Sequence, residues 1–340
     1  MRKLVGEGDN PSPKSILIIK PGPLGSIVHA LPSIALVRQA HPHAEITWVI
    51  NPELAPLLRG NPDVNHVHLL PRGELRSLGA AQSLLASLKR TRKLRPDLAL
   101  DFDGLLRSAL IAKTSGAKEI IGMSDALGGA ATWFYDHIVR VDRRSHPVER
   151  YLKLAECSGA TVGELLRCSV PSGDPLPRFD AHPPFVLLHP FAHGQDRSLS
   201  NAAIEEFCHA LAPTRVVLVG QTRSRINTPE NCVDLTRQTS LLRLIWLIRV
   251  ARFVVSVQSG PMHIAAAVTG NLLSIHTWTD PRLSGPYNPD AWVWKHGQLF
   301  SVSELETAKI RKRGRRFRRK DVTSVVELIR PLVPIDPMVA

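Results

Sequence analysis

Acidic residues are in short supply in this chain. Asp and Glu number 30 against 43 Lys and Arg in 340 residues, leaving a net charge of +13. That imbalance directs the protein toward anionic partners: phosphates, nucleic acid or the anionic face of a membrane. Cysteine is also scarce. Cys157, Cys168, Cys208 and Cys232 show neither a C-x-x-C pair nor a zinc-ligand spacing, which excludes a disulfide framework and reads as reduced packing thiols of a cytosolic protein. The 14 histidines are scattered, with no H-E-x-x-H and no carboxylate–histidine cluster, so no metal site is expected. No apolar run reaches the roughly 18 residues of a membrane helix, so any membrane contact has to be peripheral. Met1 to Pro13 is polar and lacks the apolar core of a secretory signal.

What is present is a steady alternation. Ser15–Lys20 is a short apolar run that reads as a buried parallel strand, and a helix is expected from about Ser26 to Ala40. Strands follow at 45–50, 66–69, 98–101, 119–122 and 138–141, with helical patterns at 75–93, 105–115 and 148–158. Pro171 to Pro184 holds five prolines and no periodic apolar face, and breaks the pattern. The alternation then restarts. Strands are expected at 185–189, 215–219, 253–256 and 272–276, and helices at 201–211, 241–250, 262–269 and 322–332. The expected organisation is a doubly wound α/β domain over 1–172, a linker over 173–184, a second α/β domain over 185–305, and a basic segment with a terminal helix over 306–340. Two such halves imply a cleft between them, with ligands at the carboxyl ends of the strands.

Several strand-to-helix turns carry candidate chemistry. Lys20-Pro-Gly-Pro-Leu-Gly-Ser26 can bring Gly22 and Gly25 close to a ligand, although a plain turn with Ser26 as N-cap explains it too. Asp101-Phe-Asp-Gly104 offers two carboxylates as acid, base or ligand, with Asp103 as an N-cap in the plain reading. His189 to Ser198 contains Arg197, a cation suited to bidentate phosphate binding or simply to a solvated loop. Gln258-Ser-Gly-Pro-Met-His263 opens a helix and presents backbone N–H groups to an anion such as a diphosphate. Arg311 to Lys320 holds eight cations and no acid. It lacks the interleaved aromatics of a nucleic-acid site, which ranks nucleic acid last among the partners.

Taken in order, these segments resemble the bacterial heptosyltransferases of glycosyltransferase family 9. Lys20–Pro32 resembles the family's first loop, and Asp101–Ser108 its Asp-x-Gln-Gly-Leu-x-(Lys/Arg)-Ser. His146-Pro-Val-Glu-Arg-Tyr151 resembles its His-x-Val-(Glu/Asp)-Arg-Tyr. Ser256–Ala267 with Thr279–Tyr287 resembles its Gly-Pro-Met-His and Thr-Asp-Pro pair. The resemblance implies a GT-B fold, two facing Rossmann-like domains with a cleft. It also implies inverting, metal-independent transfer of heptose from ADP-heptose to a lipopolysaccharide-core or other anionic, lipid-linked glycan acceptor. The place of action would be cytoplasmic, at the inner face of the inner membrane, with a nucleotide-sugar substrate and no cofactor. By motif, Arg197, Gln258, Ser259, Gly260, Pro261, Met262 and His263 would face the donor. Gly22, Gly25 and Arg107 would lie on the acceptor side.

The chain departs from the family at its carboxylates. The first-loop Asp, the family's base, is Ser26; the Asp of the donor loop is Gln258; the Glu after Gly220 falls at Arg223 or Ser224; and Asp103 replaces a Gln. A serine of ordinary pKa is no base unaided. Three readings follow: the base has moved to His29 or Asp103; the chain uses a different donor; or it binds a sugar nucleotide or glycan without turnover. A GT-B epimerase is a further branch, against which the Gly-Pro-Met-His segment speaks.

Overall fold

The computed structural model describes residues 12–70, 86, 89–125, 129–163, 166–222, 226–311 and 313–333. The chain divides into two compact units, Met1–Pro171 and Ser172–Ala340.

The first unit begins with β1 (Ser15–Ile19), α1 (Leu24–Ala40), β2 (Glu45–Ile50), β3 (His66–Leu69) and β4 (Leu98–Asp101). It continues with α2 (Leu106–Thr114), β5 (Glu119–Met123), β6 (His137–Val139) and α3 (Pro147–Glu156). The strands form a six-stranded sheet in the order β3-β2-β1-β4-β5-β6, with every pair parallel. The apolar runs dictate this. Ile16 to Ile19 and all of β4 are buried, and a strand that is apolar on both faces needs helices over both. Ile18 pairs with Trp48 on one side and Leu100 on the other, so β1 and β4 sit at the centre. The strand order reverses between them, and a doubly wound sheet leaves an open crevice at such a point, beyond the carboxyl ends of the strands.

The second unit begins with β7 (Phe185–His189), α4 (Asn201–Leu211), β8 (Arg215–Leu218), β9 (Cys232–Asp234), α5 (Leu241–Val250) and β10 (Phe253–Val257). It continues with α6 (Gly260–Val268), β11 (Leu272–His276), α7 (Pro281–Ser284), β12 (Trp292–Lys295), β13 (Gln298–Ser301) and α8 (Val322–Ile329). Its seven strands run β13-β12-β11-β10-β7-β8-β9. Among the described strands of this sheet, only the β12–β13 hairpin is antiparallel. The reversal here falls between β10 and β7.

The proline-rich stretch expected as a linker packs onto this unit. The Asp174 N–H donates to Leu242 O at 3.0 Å, and the Phe179 ring meets Phe185 and Trp246 edge-on at 5.5 and 6.2 Å. The Arg215 guanidinium lies 4.6 Å from the Phe179 ring centre. The terminal segment is likewise part of the core: Phe317, Val322, Val325, Val326 and Ile329 are buried with α4 and β10 side chains. The helix expected over 75–93 lies mostly outside the described residues, with 86 and 89–91 helical.

Candidate functional site

In the first unit the crevice loops belong to β1 and β4. Lys20 follows β1, and its carbonyl accepts from Trp48 Nε1 at 3.0 Å. Its Nζ lies 2.9 Å from Asp103 Oδ1, with both side chains almost wholly buried, and 5.5 Å from the Tyr151 ring centre. Burial alone would depress the Lys20 pKa. The Tyr151 oxygen and the Asp103 carboxylate together outweigh burial, and the pKa stands above the usual lysine value. Lys20 is therefore a cation at neutral pH, facing a carboxylate.

Asp101 serves a different purpose. It is fully buried and accepts from Tyr135 Oη at 2.7 Å, Ser108 Oγ at 2.8 Å, and the N–H groups of Asp103 and Gly104 at 2.9 and 3.1 Å. Burial pushes its pKa up to about 6 against the pull of those donors. Its acceptor capacity is used in building the turn. The N-cap expected at Asp103 is instead Leu105, because Asp103 turns to Lys20. The N-cap expected at Ser26 is Pro23, because α1 starts two residues before Ser26, at Leu24. Ser26 sits half-buried in the first turn of α1, with Gly25 buried and Gly22 half-buried beside it. His29 is buried one turn on, with its ring edge-on to His146 at 4.9 Å. His146 Nδ1 accepts from Val148 N at 3.3 Å and so caps α3. Arg107 is exposed in the first turn of α2.

A cavity of about 300 Å³ opens beside these loops, lined by Phe102, Asp103, Asp125, Arg143, Arg150 and Tyr151 among others. Asp125 is paired with Arg150, so of the two lining carboxylates Asp103 faces Lys20 and Asp125 faces an arginine. Asp103 is the one candidate base that lines the cavity; Ser26 and His29 do not. Sequence reasoning missed Lys20, Arg143, Arg150 and Tyr151 as site residues. The His146–Tyr151 motif held the signal for Arg150 and Tyr151; Arg143 had none.

In the second unit the loop after β10 turns directly into α6. Gln258 N donates to Ile275 O at 3.1 Å, which fixes the loop against β11. Ser259 is the N-cap residue, but its side chain makes no cap hydrogen bond. Its hydroxyl goes to Val257 O at 3.0 Å and lies 3.3 Å from His189 Nδ1. Ser256 Oγ lies at the same distance from His189 Nδ1. Burial pulls the His189 pKa down to about 4, so the ring is neutral and links two hydroxyls. The first-turn N–H groups of α6, at Gly260 and Met262 with Pro261 between them supplying none, thus start without a side-chain acceptor from their own cap. That is the arrangement an anion completes.

Behind the loop, His263 and Met262 are buried. His276 Nδ1 and Nε2 lie 2.9 Å from Thr279 Oγ1 and 2.8 Å from Ser274 Oγ. Burial, with the nearby His263 and Lys295, takes the His276 pKa down to about 3. Lys295, which sequence reasoning did not single out, is buried and donates to the carbonyls of Thr277 and Thr279 at 3.2 and 3.0 Å. Asp280 caps α7 and accepts from Arg282 Nη2 at 2.7 Å, a contact that lowers its pKa. Arg197 is exposed in the loop after β7, at the same end of the sheet. Gly220 ends the β8 run with φ +124°, and a Cβ there would stand 2.7 Å from the Phe191 ring, so only glycine fits. Arg223 and Ser224, the alternative occupants of the family's Glu position after Gly220, lie outside the described residues. Among the described residues no group of three or more His, Cys, Asp or Glu side chains is placed to hold a metal ion, and no helix is long and apolar enough to cross a membrane.

Two Rossmann-like α/β units, each with an anion- or ligand-ready loop at its reversal point, define a GT-B protein. The solved structures agree. E. coli heptosyltransferase WaaC with ADP superposes with a TM-score of 0.73 at 20% identity, covering 94% of this chain and 99% of that one. E. coli ADP-heptose lps heptosyltransferase II gives 0.73 at 20%, covering 94% and 98%. The family model for Glycosyltransferase family 9 (heptosyltransferase) matches residues 85–311, and the chain belongs to that family. It is a glycosyltransferase. Curated relatives include lipopolysaccharide heptosyltransferase 1 of Salmonella typhimurium, 26% identical over 80% of this chain and 91% of the relative. Another is the lipopolysaccharide core heptosyltransferase OpsX of Haemophilus influenzae, 23% identical over 82% and 83%.

Proposed function

We propose that this glycosyltransferase moves a heptose from ADP-heptose to a lipopolysaccharide-core acceptor, with inversion at the anomeric carbon and without a metal ion. The carrying observation is the entry to α6, where Ser259 turns its hydroxyl inward to Val257 O and leaves the helix N-terminus to an anion. In this reading the donor diphosphate rests on that N-terminus, with Arg197 and the Gln258–His263 loop around it. The helix dipole and N–H groups stabilise the charge that grows on the departing ADP.

The acceptor sits in the cavity of the first unit. Arg143 gives its wall a cation for the acceptor's anionic groups, while Arg150 is held by Asp125. Asp103 takes the role that Ser26 cannot. Lys20 Nζ lies beside its side-chain oxygen, and Asp103 opens on the cavity. The acceptor hydroxyl oxygen forms a bond to the anomeric carbon as its proton passes to Asp103. The bond from that carbon to the phosphate oxygen breaks, and its electron pair leaves with ADP. The reaction takes place on the cytoplasmic side, where the excess of positive charge meets anionic lipid. The test is turnover of ADP-heptose on heptose-free core in excess EDTA, with the new linkage examined by NMR. Retained activity and an anomeric configuration opposite to the donor's are expected. Loss of activity in EDTA that Mg²⁺ restores would sink the metal-free part, and retained configuration the inversion.

A further inference from the structure

Beyond the α6 loop, the second unit carries a basic cavity whose lining includes none of the residues assigned above to the donor. It measures about 740 Å³ and is lined by Trp278, His296, Arg311, Arg313, Arg316 and Arg318 among others, with no carboxylate in its wall. Its volume is that of a small-molecule site. We propose that this cavity is a separate phosphate pocket, which takes a phosphomonoester or diphosphate group.

The arginines divide into two sets. Arg315 pairs with Asp321 at 2.6 Å and lies 5.4 Å from the Trp294 ring centre. Arg319 pairs with Glu206 at 2.6 Å, and Arg316 with Asp196. These contacts fasten the segment to the unit. Among the described residues, Arg311, Arg313 and Arg318 join no ion pair, and all three are exposed on the cavity. A solvated basic tail would have no reason to be held. This one is held closely: Arg315 N donates to Thr277 O at 3.0 Å, and Arg318 N to Asp321 Oδ2 at 2.8 Å. Phe317 is buried with its ring 4.8 Å from that of Trp294. Gly314 lies flat on Trp278, where a Cβ would come within 1.8 Å of the indole. Trp278 in turn donates its Nε1–H to Asp196 O at 3.0 Å, which sets the plane of the ring at the cavity wall.

The fold thus gathers Arg311, Arg313 and Arg318 on one cavity whose lining holds no carboxylate, a concentration of like charge that an entering anion relieves. Guanidinium groups match tetrahedral phosphate oxygens by paired N–H contacts, and a doubly charged phosphate suits several of them at once. The group can come from a phosphorylated lipid headgroup or from a soluble phosphorylated saccharide. The pocket does not depend on the donor reading, because none of its lining residues belongs to the Gln258–His263 loop.

The test is calorimetric titration of the full chain with inorganic pyrophosphate, with and without saturating ADP. The wild type is compared with Arg311→Ala/Arg313→Ala/Arg318→Ala. A control, Lys89→Ala/Arg90→Ala/Lys113→Ala, removes equal charge from exposed positions of the first unit. The pocket variant is expected to lose about tenfold or more in pyrophosphate affinity in the presence of ADP, and the control less than about twofold. Co-sedimentation with phosphatidic acid vesicles, against phosphatidylcholine vesicles, identifies the source. Vesicle binding lost in the pocket variant points to a lipid headgroup; pyrophosphate binding without vesicle binding points to a soluble ligand. Equal weakening in the two variants, or no binding of either probe by the wild type, would overturn the pocket. Failure of ADP to bind would count against the donor site alone.

Discussion

The Lys20–Asp103 pair gives the sharpest test of how the first unit works. Its atoms are 2.9 Å apart, and the side chains are 4% and 6% exposed. At an effective dielectric of about 20 the attraction is roughly 6 kcal/mol, most of it offset by the cost of removing both charges from water. Breaking such a pair from one side strands the other charge, at about 3–5 kcal/mol. That is a large part of the roughly 5–15 kcal/mol that holds a typical domain folded. Lys20→Met and Asp103→Ala should each lower the unfolding free energy by that amount in urea titrations. Lys20→Met/Asp103→Leu should recover most of it. Activity should not follow stability. Asp103→Asn is expected to lower kcat by about 10²–10⁴ with little change in KM for the donor, and the restabilised double variant should stay inactive. Asp103→Asn with wild-type kcat would refute the base role. Single variants that lose less than about 1 kcal/mol would refute the argument from burial. The pair has its own pH signature. The Lys20 pKa is raised in the folded state, so its contribution is complete below the unfolded value of 10.5 and disappears as the pH climbs through the folded one.

Other outcomes follow from the same structure. His189 and His276 have folded pKa values of about 4 and about 3 against 6.5 for a free imidazole, so they stabilise the fold above pH 6.5 and lose that contribution progressively as pH falls toward the folded values. Urea midpoints should drop between pH 7 and 5, and His189→Gln should flatten that slope. Asp101 should titrate near 6 by carboxyl NMR, with its share of stability falling as pH rises from about 4 to 6, because the folded state holds its proton more tightly than the unfolded one. Phe317→Ala should cost about 3–5 kcal/mol in denaturant titrations, since the basic segment is anchored in the core through that ring.

Long apolar runs made the centre of each sheet legible. Ile16–Ile19, Leu98–Leu100, Phe185–Leu188 and Phe253–Val257 are buried strands as their composition demands. The sheet margins were not legible. β9 is three half-buried or exposed residues with no alternation, and β12–β13 is a hairpin whose short strands carry no clear period. The start of α1 was misplaced because Ser26 is a strong N-cap type, while Pro23 supplies the extended entry instead. The strand-to-helix turns at Gln258–His263 and Asp101–Ser108 were legible from their motifs, and each follows a central strand of its sheet. Lys20 was not recognised as a site residue, because its meaning depends on a carboxylate 83 positions away. Lys295 was missed for a similar reason: a lysine buried at the end of an apolar strand acts through the carbonyls of Thr277 and Thr279, which no spacing rule reveals.

The central claim is that this chain turns over ADP-heptose at the α6 loop with Asp103 as base. Steady-state ADP release from ADP-heptose with heptose-free lipopolysaccharide core, measured for the wild type beside Asp103→Asn, tests it directly. The account predicts acceptor-dependent ADP release by the wild type that falls by about 10² or more in the variant. Wild-type release no faster than without acceptor, or a variant as active as the wild type, would contradict it.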